Sequence, residues 1–288
     1  MTLEARLDSR LPARFLSPRR LSRLSGWIGA AVLILLLILA IFPQAVAPYD
    51  ATKLVGLPLQ RPSAKYILGT NDIGQDVFSE LIAGTRASLF TGLFVSFLSV
   101  FTGVLVGLLS GYLGGWIDSL LMRFTDLILV LPFLPLVILI SVYIGPSQRN
   151  VILVLSIFFW AGPARLIRAR VLSLRTETFI EAARALGANP LQIMTRHLWS
   201  GVKTLAAAQI VLVASASILA ESSLSFLGLG DPSAKSWGSM LYFARASGAF
   251  LGDAWKWWVL PEGFMITLTV LSLGLIGYSL EYGMVNSA

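Results

Sequence analysis

Side chains able to do chemistry are few in this 288-residue chain, and their distribution excludes more than it offers. There is one histidine, His197, and no cysteine. A Ser–His or Cys–His nucleophile pair within the apolar runs is therefore not available. No HExxH pattern or His/Cys cluster suggests a metal site. No GxxxxGK(S/T) pattern occurs, so the chain cannot build a P-loop around a nucleotide phosphate. What remains is a polar stretch, residues 173–204, whose residue types suit docking better than bond making. Thr178 to Leu186 reads as a short helix, and Gly187 stands where a left-handed C-cap is wanted. Asn189 then fits as an N-cap with Pro190 at the first helical position. Helix, glycine turn and helix make a compact knob, suited to a cleft on another protein.

The remaining notable residues lie in or beside apolar runs. Arg123 and Asp126 are three apart, neighbours on one helix face, and read as a mainly structural pair that lowers the cost of charge in the membrane. Gly103, Gly107, Gly111 and Gly115 form a four-residue repeat that lets another helix backbone approach closely, either within the chain or across a subunit interface. Pro132 and Pro135 remove backbone donors mid-span and predict a kink. Glu221 follows Lys203 by 18 residues, about 27 Å of helix, which predicts a cap near the outer surface. Trp255, Trp257 and Trp258 read as an aromatic anchor at headgroup level.

The elements that must position these residues follow from composition. Hydrophobic residues make up 56% of the chain and charged ones 13%, about half the charge of an ordinary soluble domain. That excludes a soluble globule and a disordered chain, and the lack of cysteine excludes a disulfide framework. An all-α integral membrane protein remains. Charge-free intervals predict six transmembrane helices near 25–43, 87–113, 118–144, 150–171, 205–228 and 258–280. The fourth interval is short, so Arg165 and Arg168 are expected to reach toward the headgroups. Residues 1–24 form a basic leader that also fits a cleaved signal, with a retained first helix the better reading. Residues 44–86 form an extracytoplasmic loop, 87–280 a five-helix core, and 281–288 a cytoplasmic tail. Basic residues number 13 in the segments that face inward if the N-terminus is inside, against 8 outside, which predicts an N-in, C-in topology. The net charge of +7 thus speaks of membrane orientation, with the bilayer as partner and no nucleic acid.

Glu181-Ala182-Ala183, Gly187 and the region Ile193 to Leu198 resemble the EAA loop of permease subunits of binding-protein-dependent ABC importers. Leu68 to Asp76, Ser110 to Asp118, Ala220 to Gly230 and Ser236 to Leu241 are similar to segments of the dipeptide/oligopeptide/nickel permeases, C-type second subunit. The resemblance implies a type I importer permease in a bacterial or archaeal cytoplasmic (inner) membrane, its last five helices the transport core. It further implies a homologous second permease, two ATPase subunits that bind ATP and Mg²⁺, and an extracytoplasmic solute-binding protein. Glu181, Ala182, Ala183, Gly187, Asn189 and Pro190 would be ATPase-coupling positions, where small alanines allow close seating and Glu181 meets a basic partner. A solvated helix charge is the plain alternative for Glu181. Short peptides lead as cargo, with nickel and oligosaccharides as alternatives, and no substrate-binding residue is identified.

Departures from the family pattern fall at Gln75, where arginine is usual, at Ser200, where proline is usual, and in the tail Gly277 to Tyr282. An ion-coupled secondary transporter would need charges at the midplane, often on helices related by an internal repeat. No such repeat is visible, and a membrane enzyme would lack any catalytic set. A non-transporting scaffold subunit would share the architecture.

Overall fold

The computed structural model describes residues 18–285. Residues 1–17 of the basic leader and 286–288 of the tail lie outside the described residues. The first apolar run folds as α1 (Pro18–Ile41), followed by the single turn α2 (Pro43–Val46). The segment up to residue 76 is held by specific bonds: the Thr70 hydroxyl donates to the Leu57 carbonyl at 2.7 Å and accepts from the Gln60 amide at 2.8 Å. Asp76 then caps α3 (Val77–Leu113) by accepting from the Ser79 amide at 2.9 Å. This cap starts α3 ten residues before the predicted span. At 37 residues the helix is about 55 Å long, well beyond a hydrocarbon core of about 30 Å.

α4 (Gly115–Val130) and α5 (Phe133–Ile144) take the place of the expected helix 118–144, and the expected kink is a bend of 90° at their junction. Leu131 is extended there, as a residue before proline prefers, and Pro132 has no amide to continue the ladder. Pro135 falls in the first turn of α5, where amides lack helical partners anyway, so the kink belongs to Pro132 alone. α6 (Gln148–Phe159), capped by Ser147, passes through Trp160 into α7 (Ala161–Leu174) to make one candidate span.

Next come α8 (Thr178–Ala185), the turn α9 (Pro190–Gln192), a π-helical segment Ile193–Leu198, and α10 (Trp199–Phe226). The chain closes with α11 (Trp237–Ala246), α12 (Trp255–Trp258) and α13 (Leu260–Val285). Five helices are long and apolar enough to cross a membrane, six when α4 and α5 count as one broken span. The described chain is otherwise helix and loop, apart from one isolated bridge between Thr70 and Asp76.

Three apolar clusters hold the bundle. Leu36, Ile218, Met240 and Leu273 join α1, α10, α11 and α13. Val95, Val137, Leu155 and Leu224 join α3, α5, α6 and α10. Val104, Ile167, Ile180, Ile193 and Leu198 gather α3, α7, α8 and the π-helical segment at the end bearing the knob. The aromatic anchor needs correction: Trp257 and Trp258 are buried in the first cluster and only Trp255 is at the surface. The turn of α12 carries Trp257 against Gly69 and Trp258 against Met240 and Phe243 of α11, where burying them removes more apolar area from water than an interfacial site would.

Candidate functional site

The knob is assembled from short-range signals and fixed by long-range packing. α8 ends in a Schellman pattern, with the Ala188 amide bonded to the Ala183 carbonyl at 3.0 Å and the Gly187 amide to Arg184 at 2.9 Å. Gly187 has φ of +85°, and a Cβ there would meet nothing within 4 Å. The requirement for glycine is thus conformational rather than steric. Asn189 forms a reciprocal capping box with Gln192, at 2.8 and 3.1 Å, and Pro190 opens the next turn. Ile180, Ile193 and Leu198 are fully buried and anchor this assembly on α3 and α7. Arg184 lies over the Tyr112 ring at 5.4 Å, tying α8 to the end of α3.

The opposite surface is open. Glu181, Ala182, Asn189 and Pro190 are exposed and Ala183 is half-buried. Leu186 is 89% exposed, Leu191 65% and Phe179 47%. These large apolar side chains are held outward on a capped, well-anchored turn. His197 packs near Phe179, ring centroids 6.4 Å apart, which gives it a place in the knob.

Behind the knob, Gly103, Gly107 and Gly111 do form a seam, and it lies within the chain. A Cβ on Gly103 would meet Pro163 Cβ at 2.8 Å, one on Gly107 would meet Ile167 Cβ at 2.7 Å, and one on Gly111 would meet Val171 Cβ at 2.8 Å. Gly115 does not belong to it: α3 ends at Leu113, Gly114 and Gly115 both have positive φ, and nothing lies within 4 Å of a Gly115 Cβ. The four-residue spacing continues past a turn that the repeat itself cannot reveal.

The predicted Arg123–Asp126 pair is also corrected, because Asp126 pairs with Arg165 of α7 instead. Arg168 binds Asp118 through two bonds of 2.6 Å, while the Ser110 hydroxyl donates to the same carboxylate. Arg165 and Arg168 therefore meet carboxylates on α4 rather than reaching for headgroups. Both pairs join residues 39 or 50 positions apart, a distance at which no local pattern could have signalled them.

At the other end of α3 lies a polar cluster that the sequence reading missed. Glu80 is buried and pairs with Lys235, whose ammonium also donates to Gln75 Oε1 at 2.7 Å. Asn71 donates to both Gln75 and Glu80, at 2.9 and 3.0 Å, and Gln75 Nε2 donates to the Thr52 carbonyl at 3.0 Å. A neutral Gln75 thus joins the loop before α3 to the α10–α11 connection without carrying the charge itself. Burial pushes the neighbouring Asp72 carboxyl up from its ordinary range. In the same connection, donation from the Ser233 hydroxyl holds the Asp231 carboxyl down.

Glu221 is not a solvent-facing cap. It is buried, accepting from Ser225 at 2.7 Å and from Ser236 at 2.8 Å. Ser236 is the N-cap of α11, so this carboxyl braces α11 against α10.

The family model for the Binding-protein-dependent transport system inner membrane component matches residues 103–284. The chain is 38% identical over 256 residues to the glutathione transport system permease protein GsiD of Shigella flexneri serotype 5b (strain 8401), covering 88% of this chain and 83% of that one. It is 37% identical, with the same coverage, to the protein of that name from Escherichia coli O6:K15:H31 (strain 536 / UPEC).

Proposed function

Because the chain belongs to the binding-protein-dependent transport system inner membrane components, the permeases of ABC importers, we propose that it forms half of a translocation path for short peptides and is driven through its knob by a cytoplasmic ATPase. The observation that carries this reading is the exposed apolar turn on a rigid base. Leu186 and Leu191 project outward while Ile180 and Ile193 are fully buried beneath them. Glu181, Ala182, Ala183, Gly187, Asn189 and Pro190 are the coupling surface, with Glu181 facing a basic group of the ATPase. The cap at Gly187 and the capping box at Asn189 keep the turn from deforming under load. The π-helical segment runs directly into α10, so displacement of the knob is passed to a transmembrane helix rather than lost in a loop.

The partners of this reading are a homologous second permease, two ATPase subunits that hold ATP and Mg²⁺, and an extracytoplasmic solute-binding protein. The chain itself contributes no catalysis. Short peptides are the favoured cargo because the similar proteins are glutathione permeases, and glutathione is itself a short peptide.

Replacing Gly187 with valine tests the coupling surface. A β-branched residue at φ of +85° costs on the order of 1–2 kcal/mol of local strain, and the open surroundings leave the transmembrane core unaffected. The expected result is normal membrane insertion and melting, with the ATPase lost on purification or its hydrolysis no longer tied to uptake. Unchanged uptake with the ATPase retained would overturn the assignment.

A further inference from the structure

An apolar groove of about 430 Å³ runs between α3 and α10, just above the knob. Its walls are Phe97, Phe101, Leu105 and Leu109 on one side and Trp199 and Ile210 on the other, and its knob end is closed by Leu191 and Met194. From Phe97 to Leu109 the α3 wall is about 18 Å long, close to the roughly 15 Å of one bilayer leaflet. A groove of that length lined almost wholly by apolar side chains suits a hydrocarbon chain lying along α3.

The mouth of the groove carries the complementary charge. Lys203 lies four residues after Trp199 and three before Ala206, on the groove face of α10, and it is exposed. Arg196 is exposed one turn earlier, within the π-helical segment. Among the described residues no carboxylate lies within ion-pair distance of either. Trp199 stands between them, an amphipathic ring of the kind that settles at headgroup level.

We infer that this groove is a binding site for an anionic phospholipid of the leaflet next to the knob, with one acyl chain between α3 and α10 and its phosphate on Lys203 and Arg196. This goes beyond the coupling role and does not depend on it; assigning the leaflet as cytoplasmic rests on the predicted topology. The lipid would fill the space beneath Leu191 and Met194 that the protein leaves open, so the knob would stand partly on a lipid.

The test uses the full chain with whatever subunits accompany it, in nanodiscs containing phosphatidylglycerol bearing a diazirine near the middle of one acyl chain. Mass spectrometry of the photoproducts should place cross-links on Phe97, Phe101, Leu105 and Ile210 well above those on the exposed lipid-facing residues Ile34 and Ile38 of α1. Unlabelled phosphatidylglycerol should compete better than phosphatidylcholine, and Lys203→Gln should weaken that preference about fivefold while leaving the folded yield unchanged. Ala206→Phe, which narrows the groove, should abolish its cross-links and spare those on α1. Cross-links spread evenly over α1 and α3 would overturn the site, as would equal competition by the two lipids. Capture of Leu105→Cys by a cysteine on the second permease, with no lipid cross-link, would assign the groove to a subunit contact instead.

Discussion

Two contacts made by α7 show how differently one helix can be held. Against α3 it lies in a seam of glycines, where Gly103, Gly107 and Gly111 bring the backbones together and Ile167 and Val171 fill the space with no exposed surface. Against α4 it is joined by two ion pairs, Asp118–Arg168 and Asp126–Arg165, beside the apolar packing of Ile128. The α4–α5 unit buries only Thr125, Ile128, Val137 and Ser141. Between lipid-embedded helices close packing supplies the attraction, so the glycine seam marks a rigid unit. Ion pairs have directions and can be broken singly, so α4 is pinned rather than fused. α4 and α5 leave a wide apolar face uncovered.

The sharpest way to break the seam is Gly107→Ile. Its Cβ would meet Ile167 Cβ at 2.7 Å and the Ala164 carbonyl at 2.8 Å, so backbone must move. A loss of about 1–3 kcal/mol is expected, read as a lower folded yield and melting temperature in detergent. Gly115→Ala, at the turn beyond the seam, should not clash, and its effect is confined to strain at positive φ. If both changes lowered stability equally through packing, the seam would not end where α3 ends.

Arg168→Gln comes next. It leaves the Asp118 carboxylate with the Ser110 hydroxyl as its remaining side-chain donor. Both partners keep some solvent access, with side-chain exposures of 29% and 18%, so a loss of about 1–2 kcal/mol is expected rather than the larger figure for a sealed pair. A double-mutant cycle with Asp118→Asn checks it, and a coupling near zero would remove the pin from the comparison. The smallest effect belongs to Asp126→Asn. Both partners of that pair are 56% exposed, and a change of no more than about 0.5 kcal/mol, falling with added salt, is expected. A salt-independent loss larger than that for Arg168→Gln would reverse the ranking.

Much of this architecture was legible in the residues. Long charge-free runs of this length are satisfied in a membrane by helices, so the all-α class followed directly, and the structure has five such helices, six when the broken α4–α5 span is counted. The knob was equally readable, because a glycine cap, an asparagine N-cap and a proline at the first helical position act over four or five residues. Other features were hidden for the opposite reason. Asp126 has Arg123 one turn away, and spacing favours that partner; only the packing of α4 on α7 brings Arg165 to it. Glu221 is adjacent to no visible donor in sequence beyond its serines, and the bond from Ser236 depends on where α11 starts.

What the sequence alone determined is therefore the set of local decisions: where helices form, where they stop, which stretch stays polar, and to which family the chain is similar. Tertiary structure decided which charges meet, which glycines touch a neighbour, which tryptophans are buried, and that an apolar groove lies along α3 and α10 beside the knob. The division has one cause. Backbone conformation is set by groups a few residues apart, whereas the partner of a buried charge is set by which helices lie side by side, and that is fixed only when the whole bundle packs.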